Sequence, residues 1–133
     1  MSIINSMSIT CSIITADQHY QDKATGKHIL SGTFSMYYSI KENENLGCGV
    51  YASVEGINFP TNLNLFLLES STSTERLIAK WSIQNQKDND EDSIEVGIQL
   101  VLPFRNFGKY KLILKHEDVE IGSRTIHYKK VEE

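Results

Sequence analysis

Alternation of apolar and polar residues with a period of two runs through this chain, and it predicts strands rather than helices. Ile9, Cys11 and Ile13 alternate with Thr10 and Ser12 and mark a first strand. The polar stretch 17–27 reads as a long loop closing in a Thr25-Gly26-Lys27 turn. Residues 28–40 read as one long second strand, with Leu30, Gly32, Phe34 and Met36 on its core face. Gly32 inside it signals a bulge or a close backbone approach. Residues 41–49, with Asn43, Asn45 and Gly47, read as a second polar loop. Residues 50–54 read as a short edge strand, broken by Phe59-Pro60.

The second half is more regular. Leu63, Leu65 and Leu67 give an inward face to 62–69, and the Ser/Thr cluster 70–74 gives a turn. In 75–85, Leu77, Ala79, Trp81 and Ile83 share the inward face, and an acidic loop follows at 87–92. Ile94, Val96, Ile98, Leu100 and Leu102 form the cleanest alternation, which Pro103 ends. After a corner at 104–108, Tyr110, Leu112 and Leu114 alternate with Lys111, Ile113 and Lys115. A turn at Glu117-Asp118 leads to a last strand whose apolar parity shifts, so a bulge is expected near Gly122-Ser123. No window holds a helical period. The expectation is an all-β, antiparallel, two-sheet sandwich of about seven to eight strands, with 1–133 as a single domain. Parallel pairing is not expected, because no crossover helix is visible.

Asn106-Phe107-Gly108-Lys109-Tyr110-Lys111-Leu112 resembles the corner that opens strand F of immunoglobulin-like domains. The resemblance implies that the Tyr110 hydroxyl bonds back to the backbone a few residues upstream, with Gly108 supplying an unusual angle. Trp81 would be the core tryptophan. Leu112 stands where secreted members carry a cysteine, so packing alone would close the core. Over nearly the whole chain, the order Gly26-Lys27-x-x-Leu30-x-Gly32-x-Phe34, Phe59-Pro60, the Trp81 strand, Leu102-Pro103-Phe104, Gly108-x-Tyr110 and Ile121-Gly122 resembles a family of small bacterial β-sandwich proteins of uncharacterised function. That likeness implies a fold and no activity.

Composition narrows the function classes. At 133 residues, 40% hydrophobic and 23% charged, the chain is globular and long enough to fold without staples. A net charge of -4 argues against a duplex nucleic-acid binder and against docking on anionic lipid. The N-terminus lacks a basic region followed by an apolar run, and no stretch approaches a membrane span, so the cytoplasm is the default. The two cysteines, Cys11 and Cys48, do not occupy the bridge positions of a sandwich, but sequence leaves a bond between them open.

Candidate chemistry is sparse. Asp88, Asp90 and Asp92 start with the spacing of a calcium loop, but Ser93 and Gln99 stand where Gly and a bidentate Glu are needed, which leaves a solvated hairpin tip. Cys48 lies between two glycines and should be accessible, yet no His is placed beside it by sequence, so an ordinary reduced thiol competes with a nucleophile. His19, His28, His116 and His127 have no metal spacing. His19, Tyr20, Tyr37 and Tyr38 are candidate surface aromatics for sugar or protein contact, against the plainer role of cross-strand packing. Lys109, Lys111, Lys115, Arg124, Lys129 and Lys130 make the C-terminal hairpin basic, either to block edge association or to meet an acidic partner. The leading expectation is a non-catalytic, cofactor-free module that binds another protein or a copy of itself. The rivals are a carbohydrate- or small-molecule-binding sandwich and an enzyme assembled from loops around Cys48 or a His. The loops 17–27 and 41–49 are the expected contact surfaces.

Overall fold

The computed structural model describes residues 9–58, 60–84 and 93–131. The expected acidic loop, with Asp88, Asp90 and Asp92, lies outside them. Nine strands follow one another: β1 (Thr10–Gln21), β2 (His28–Thr33), β3 (Met36–Ser39), β4 (Glu44–Glu55), β5 (Thr61–Glu69), β6 (Thr74–Ile83), β7 (Ser93–Phe104), β8 (Gly108–His116) and β9 (Val119–Lys130). They form a four-stranded sheet in the order β2-β1-β4-β7 and a five-stranded sheet in the order β3-β9-β8-β5-β6. The described residues include no helix long and apolar enough to cross a membrane.

The two-residue rhythm builds the layer between the sheets. From the first sheet come Ile13, Cys48, Val50, Ala52, Val54, Val96, Leu102 and Phe104. From the second come Leu63, Leu65, Leu67, Tyr110, Leu112, Leu114, Ile126 and Tyr128. Along β5 the buried side chains alternate strictly from Thr61 to Glu69, as the period of a strand with one face on the core requires. The architecture is the expected all-β sandwich, with the corner of immunoglobulin-like domains at the start of β8.

Several expectations need correction. Residues 28–40 are two strands. The chain leaves the first sheet after Thr33 and joins the second at Met36, where β3 runs parallel to β9 (Tyr37 opposite Tyr128). One parallel pair thus stands in a sandwich expected to be wholly antiparallel. No crossover helix is needed, because the strand changes sheet instead of returning to its own. Phe34 is pinned at the crossing: its N–H donates to the Thr15 carbonyl, and its own carbonyl accepts from the Thr15 hydroxyl and from Arg124 Nη2. The switch also reverses the face, so Tyr37 and Ser39 turn inward while Met36 is 46% exposed.

The segment 50–54 is no edge strand. It belongs to β4, which pairs with β1 on one side and β7 on the other. Most of the loop expected at 41–49 is the beginning of that strand. Likewise the loop expected at 17–27 is strand as far as Gln21, followed by a short turn in which the Asp22 carboxylate accepts from the Thr25 N–H at 3.1 Å. Polar composition misled at both places because these segments lie where one sheet face is not part of the core.

Two bulges explain lost parity. Leu65 faces Ala79 while Phe66 faces Leu77, so Ile78 is the extra residue and Leu77 moves to the outer face, 50% exposed. In the last hairpin Leu114 faces Gly122 while Lys115 faces Glu120, leaving Ile121 extra, next to the expected place. The hairpin turn there has Glu117 and Asp118 at φ 50° and 66°, which matches the twist of the strands it joins.

Candidate functional site

The outer face of the four-stranded sheet is partly roofed by its own chain. β1 pairs with β4 only from Thr10 to Ala16. Beyond Ala16 it keeps its partner β2 and crosses over the outer face of β4 toward β7. Gly49 on β4 and Gly97 on β7 make this crossing fit. A Cβ at Gly49 would lie 2.6 Å from the His19 backbone nitrogen, and one at Gly97 would lie 2.1 Å from His19 Nε2. The Gln99 side chain holds the β1 strand of the ribbon at two points, accepting from the His19 N–H at 2.7 Å and donating to the Asp17 carbonyl at 3.1 Å.

His19 and His28 meet under this ribbon. Their rings stack with centroids 5.1 Å apart, and His19 Nε2 lies 2.9 Å from His28 Nδ1, so one nitrogen must donate and the other accept. Burial, and then the neighbouring His28, holds the His19 imidazole below its ordinary pKa. Tyr51 packs on His28 at 5.2 Å and donates its hydroxyl to the Glu95 carboxylate. Beside the pair opens a cleft of about 420 Å³ lined by Gln21, His28, Ser53, Glu55, Ser93 and Glu95 among others. Its wall is polar and acidic. Sequence had no means of pairing His19 with His28, because their meeting depends on the hairpin register, with Gln21 opposite His28.

The tyrosines do not converge. Tyr20 lies on the ribbon's outer side opposite Ile29, 55% exposed. Tyr37 points inward, stacks on Tyr128 at 6.0 Å and donates to Glu44 at 3.3 Å. Tyr38, 55% exposed, faces out from the second sheet next to Lys129. No aromatic groove is built from these three.

Cys48 is a correction. It was expected on an accessible loop, but it is fully buried in β4, with its thiol donating to the Gly49 carbonyl at 3.5 Å. Burial raises its pKa to about 11, the opposite of what a nucleophile needs. Cys11 is raised to about 11 for the same reason. Both are free thiols, and Cys11 faces Val54, six residues along β4 from Cys48. That is about 20 Å, far beyond disulfide reach.

At the corner, the Tyr110 hydroxyl accepts from the N–H groups of Arg105 and Asn106 at 3.0 and 3.1 Å and donates to the Asn106 carbonyl at 2.7 Å. Gly108 sits at φ 144°. Leu112 is fully buried between the sheets. Trp81 is only half-buried, on the edge strand β6, packed against the rim of the core. Among the described residues no group of three His, Cys, Asp or Glu side chains is placed to hold a metal.

The outer face of the five-stranded sheet is open. Lys109 and Lys111 project from β8, His127 and Lys129 from β9, and Met36 and Tyr38 from β3. Lys115, farther along β8, is bonded to Glu75 at 2.9 Å and lies 4.5 Å over the Phe66 ring. Arg124, expected as part of the basic hairpin surface, turns inward to Phe34 instead.

No protein-family model and no curated protein matches the chain. Among solved structures, the chain is similar to an immunoglobulin-like protein from Pseudomonas aeruginosa, with a TM-score of 0.41 and 10% identity over 90% of this chain and 95% of that one.

Proposed function

We propose that this chain is a non-catalytic protein-binding module whose docking end is the edge strand β3 with the adjoining face of β9 and β8. The observation that carries this reading is a row of large apolar side chains in water. Met36 and Tyr38, on successive outward positions of the edge strand β3, are 46% and 55% exposed, and Ile40, just past its end, is 72% exposed. Exposed apolar side chains set in a polar surround mark contact sites, and an edge strand offers unpaired backbone groups to a partner. Two reduced thiols held far apart fit a reducing compartment, which favours the cytoplasm. A small-molecule or carbohydrate ligand is the second reading, favoured by the cleft beside His28, whose size suits a ligand although its wall lacks aromatics.

A photo-crosslinking amino acid in place of Tyr38, in the native host, tests the first reading. The expected result is an adduct of discrete mass that excess wild-type protein suppresses, with none from the same group at Tyr20. An adduct of twice the chain's mass identifies a second copy as the partner. Absence of any suppressible adduct at Tyr38 overturns the reading.

A further inference from the structure

We infer that the end of the outer face of the five-stranded sheet that carries Lys109, Lys111, His127 and Lys129 docks an acidic polypeptide. The inference rests on the protein-binding reading above and names the chemistry of the partner. The amino groups of Lys109 and Lys111 lie two residues apart on β8, hence about 7 Å apart at the backbone. Lys109 stands directly opposite His127 on β9, where side chains begin about 5 Å apart. Lys129 follows on the same face and is opposed across the β3 side by Tyr38.

Among the described residues no carboxylate lies within ion-pair distance of Lys109, Lys111 or Lys129. Glu75 stands in the row of Lys111, two strands away across Leu68, but its carboxylate is held by Lys115 at 2.9 Å, and Glu120 faces Lys115 farther along. Glu42 and Glu44, below the rim, are already engaged: Glu42 accepts from the Phe107 N–H at 2.9 Å and Glu44 from the Tyr37 hydroxyl. In a chain of net charge -4, clustered cations on one face are not a consequence of composition.

Edge protection does not account for them either. Lysines guard a sheet when they stand on its unpaired margin. β8 and β9 are interior strands, flanked on both sides in the order β3-β9-β8-β5-β6. Lys109, Lys111 and Lys129, gathered on one face, repel one another. An outside carboxylate row relieves that repulsion, and the exposed Met36 and Tyr38 alongside give it an apolar border. The acidic cleft on the opposite sheet has the wrong sign for such a partner. An acidic polypeptide is favoured over a nucleic acid strand because Tyr38 is the one exposed ring beside the lysines, whereas strand binders offer several rings for successive bases.

Anisotropy of a fluorescent oligoglutamate peptide titrated with the full chain tests this. Binding should appear at low salt and weaken steeply as salt rises. The triple variants Lys109→Gln/Lys111→Gln/Lys129→Gln and Lys109→Glu/Lys111→Glu/Lys129→Glu should lose at least about tenfold in affinity, the charge reversal more than the neutralisation. Lys23→Glu/Lys27→Glu, on the ribbon turn, should bind like wild type. Matching urea midpoints exclude misfolding as the cause. The Tyr38 adduct should vanish in the charge-reversed variant. Binding of oligothymidylate but not oligoglutamate, or equal affinity of the triple variants and wild type, overturns the inference. If the Tyr38 adduct persists in the charge-reversed variant, the protein-binding reading stands and the acidic partner falls.

Discussion

The Tyr110 hydroxyl satisfies two backbone donors and one acceptor at a corner where no sheet partner reaches them. Its ring is buried and packs on Phe104 with centroids 4.7 Å apart. Tyr110→Phe keeps the packing and removes the oxygen, leaving the Arg105 and Asn106 N–H groups without their partner. Such a loss costs about 1–3 kcal/mol. Urea unfolding should therefore show a lower midpoint with an unchanged slope. A variant as stable as wild type would mean that water replaces the hydroxyl at no cost. The same residue-scale logic disposes of Cys48: its place in the core, not its glycine neighbours, decides its reactivity.

The ribbon made by the ends of β1 and β2 is an element held by close backbone approach. Gly49→Ala drives a methyl into the His19 backbone, which is not a flexible side-chain end, so the ribbon must lift. Overpacking of this kind costs about 1–3 kcal/mol. Gly47→Ala, two residues away with open space around it, should stay within about 0.5 kcal/mol of wild type. Amide exchange across 17–21 should accelerate in the first variant and not in the second. Acid should loosen the same element. The folded state holds His19 below the value of about 6.5 that it has in the unfolded chain. The unfolded chain then binds more protons just below that pH, so the stability contribution is complete above about 6.5 and is lost as pH falls through the folded value. Wild type should lose stability as pH falls below about 6.5, and His19→Gln should lose less. Equal slopes in the two proteins would remove His19 as the cause.

At the scale of the molecule, the two sheets present different outer faces. One is roofed by the ribbon and opens into an acidic cleft; the other is bare, with lysines and a histidine at one end and an exposed apolar row along its margin. The core between them separates the two faces by the thickness of a sandwich, so a partner laid on one does not touch the other. That separation is why the Tyr38 and Tyr20 crosslinks, on opposite sheets, report different surfaces.

Sequence determined the layer that water excludes. Leu63, Leu65 and Leu67, the 94–102 alternation and Tyr110, Leu112 and Leu114 were legible because burial on one face imposes a period of two on every strand that borders the core. The corner at Gly108 and Tyr110 was legible for a related reason: its hydrogen bonds close within five residues. Tertiary structure decided whatever depends on contacts remote in the chain. The change of sheet at Phe34, the passage of β1 over Gly49 and Gly97, the meeting of His19 with His28 and the burial of Cys48 follow from which strands became neighbours. So does the gathering of Lys109, Lys111, His127 and Lys129, whose common face is set by strand register. Pairing between distant strands leaves no period in either one, because the hydrogen bonds that join them are made by backbone groups common to all residues.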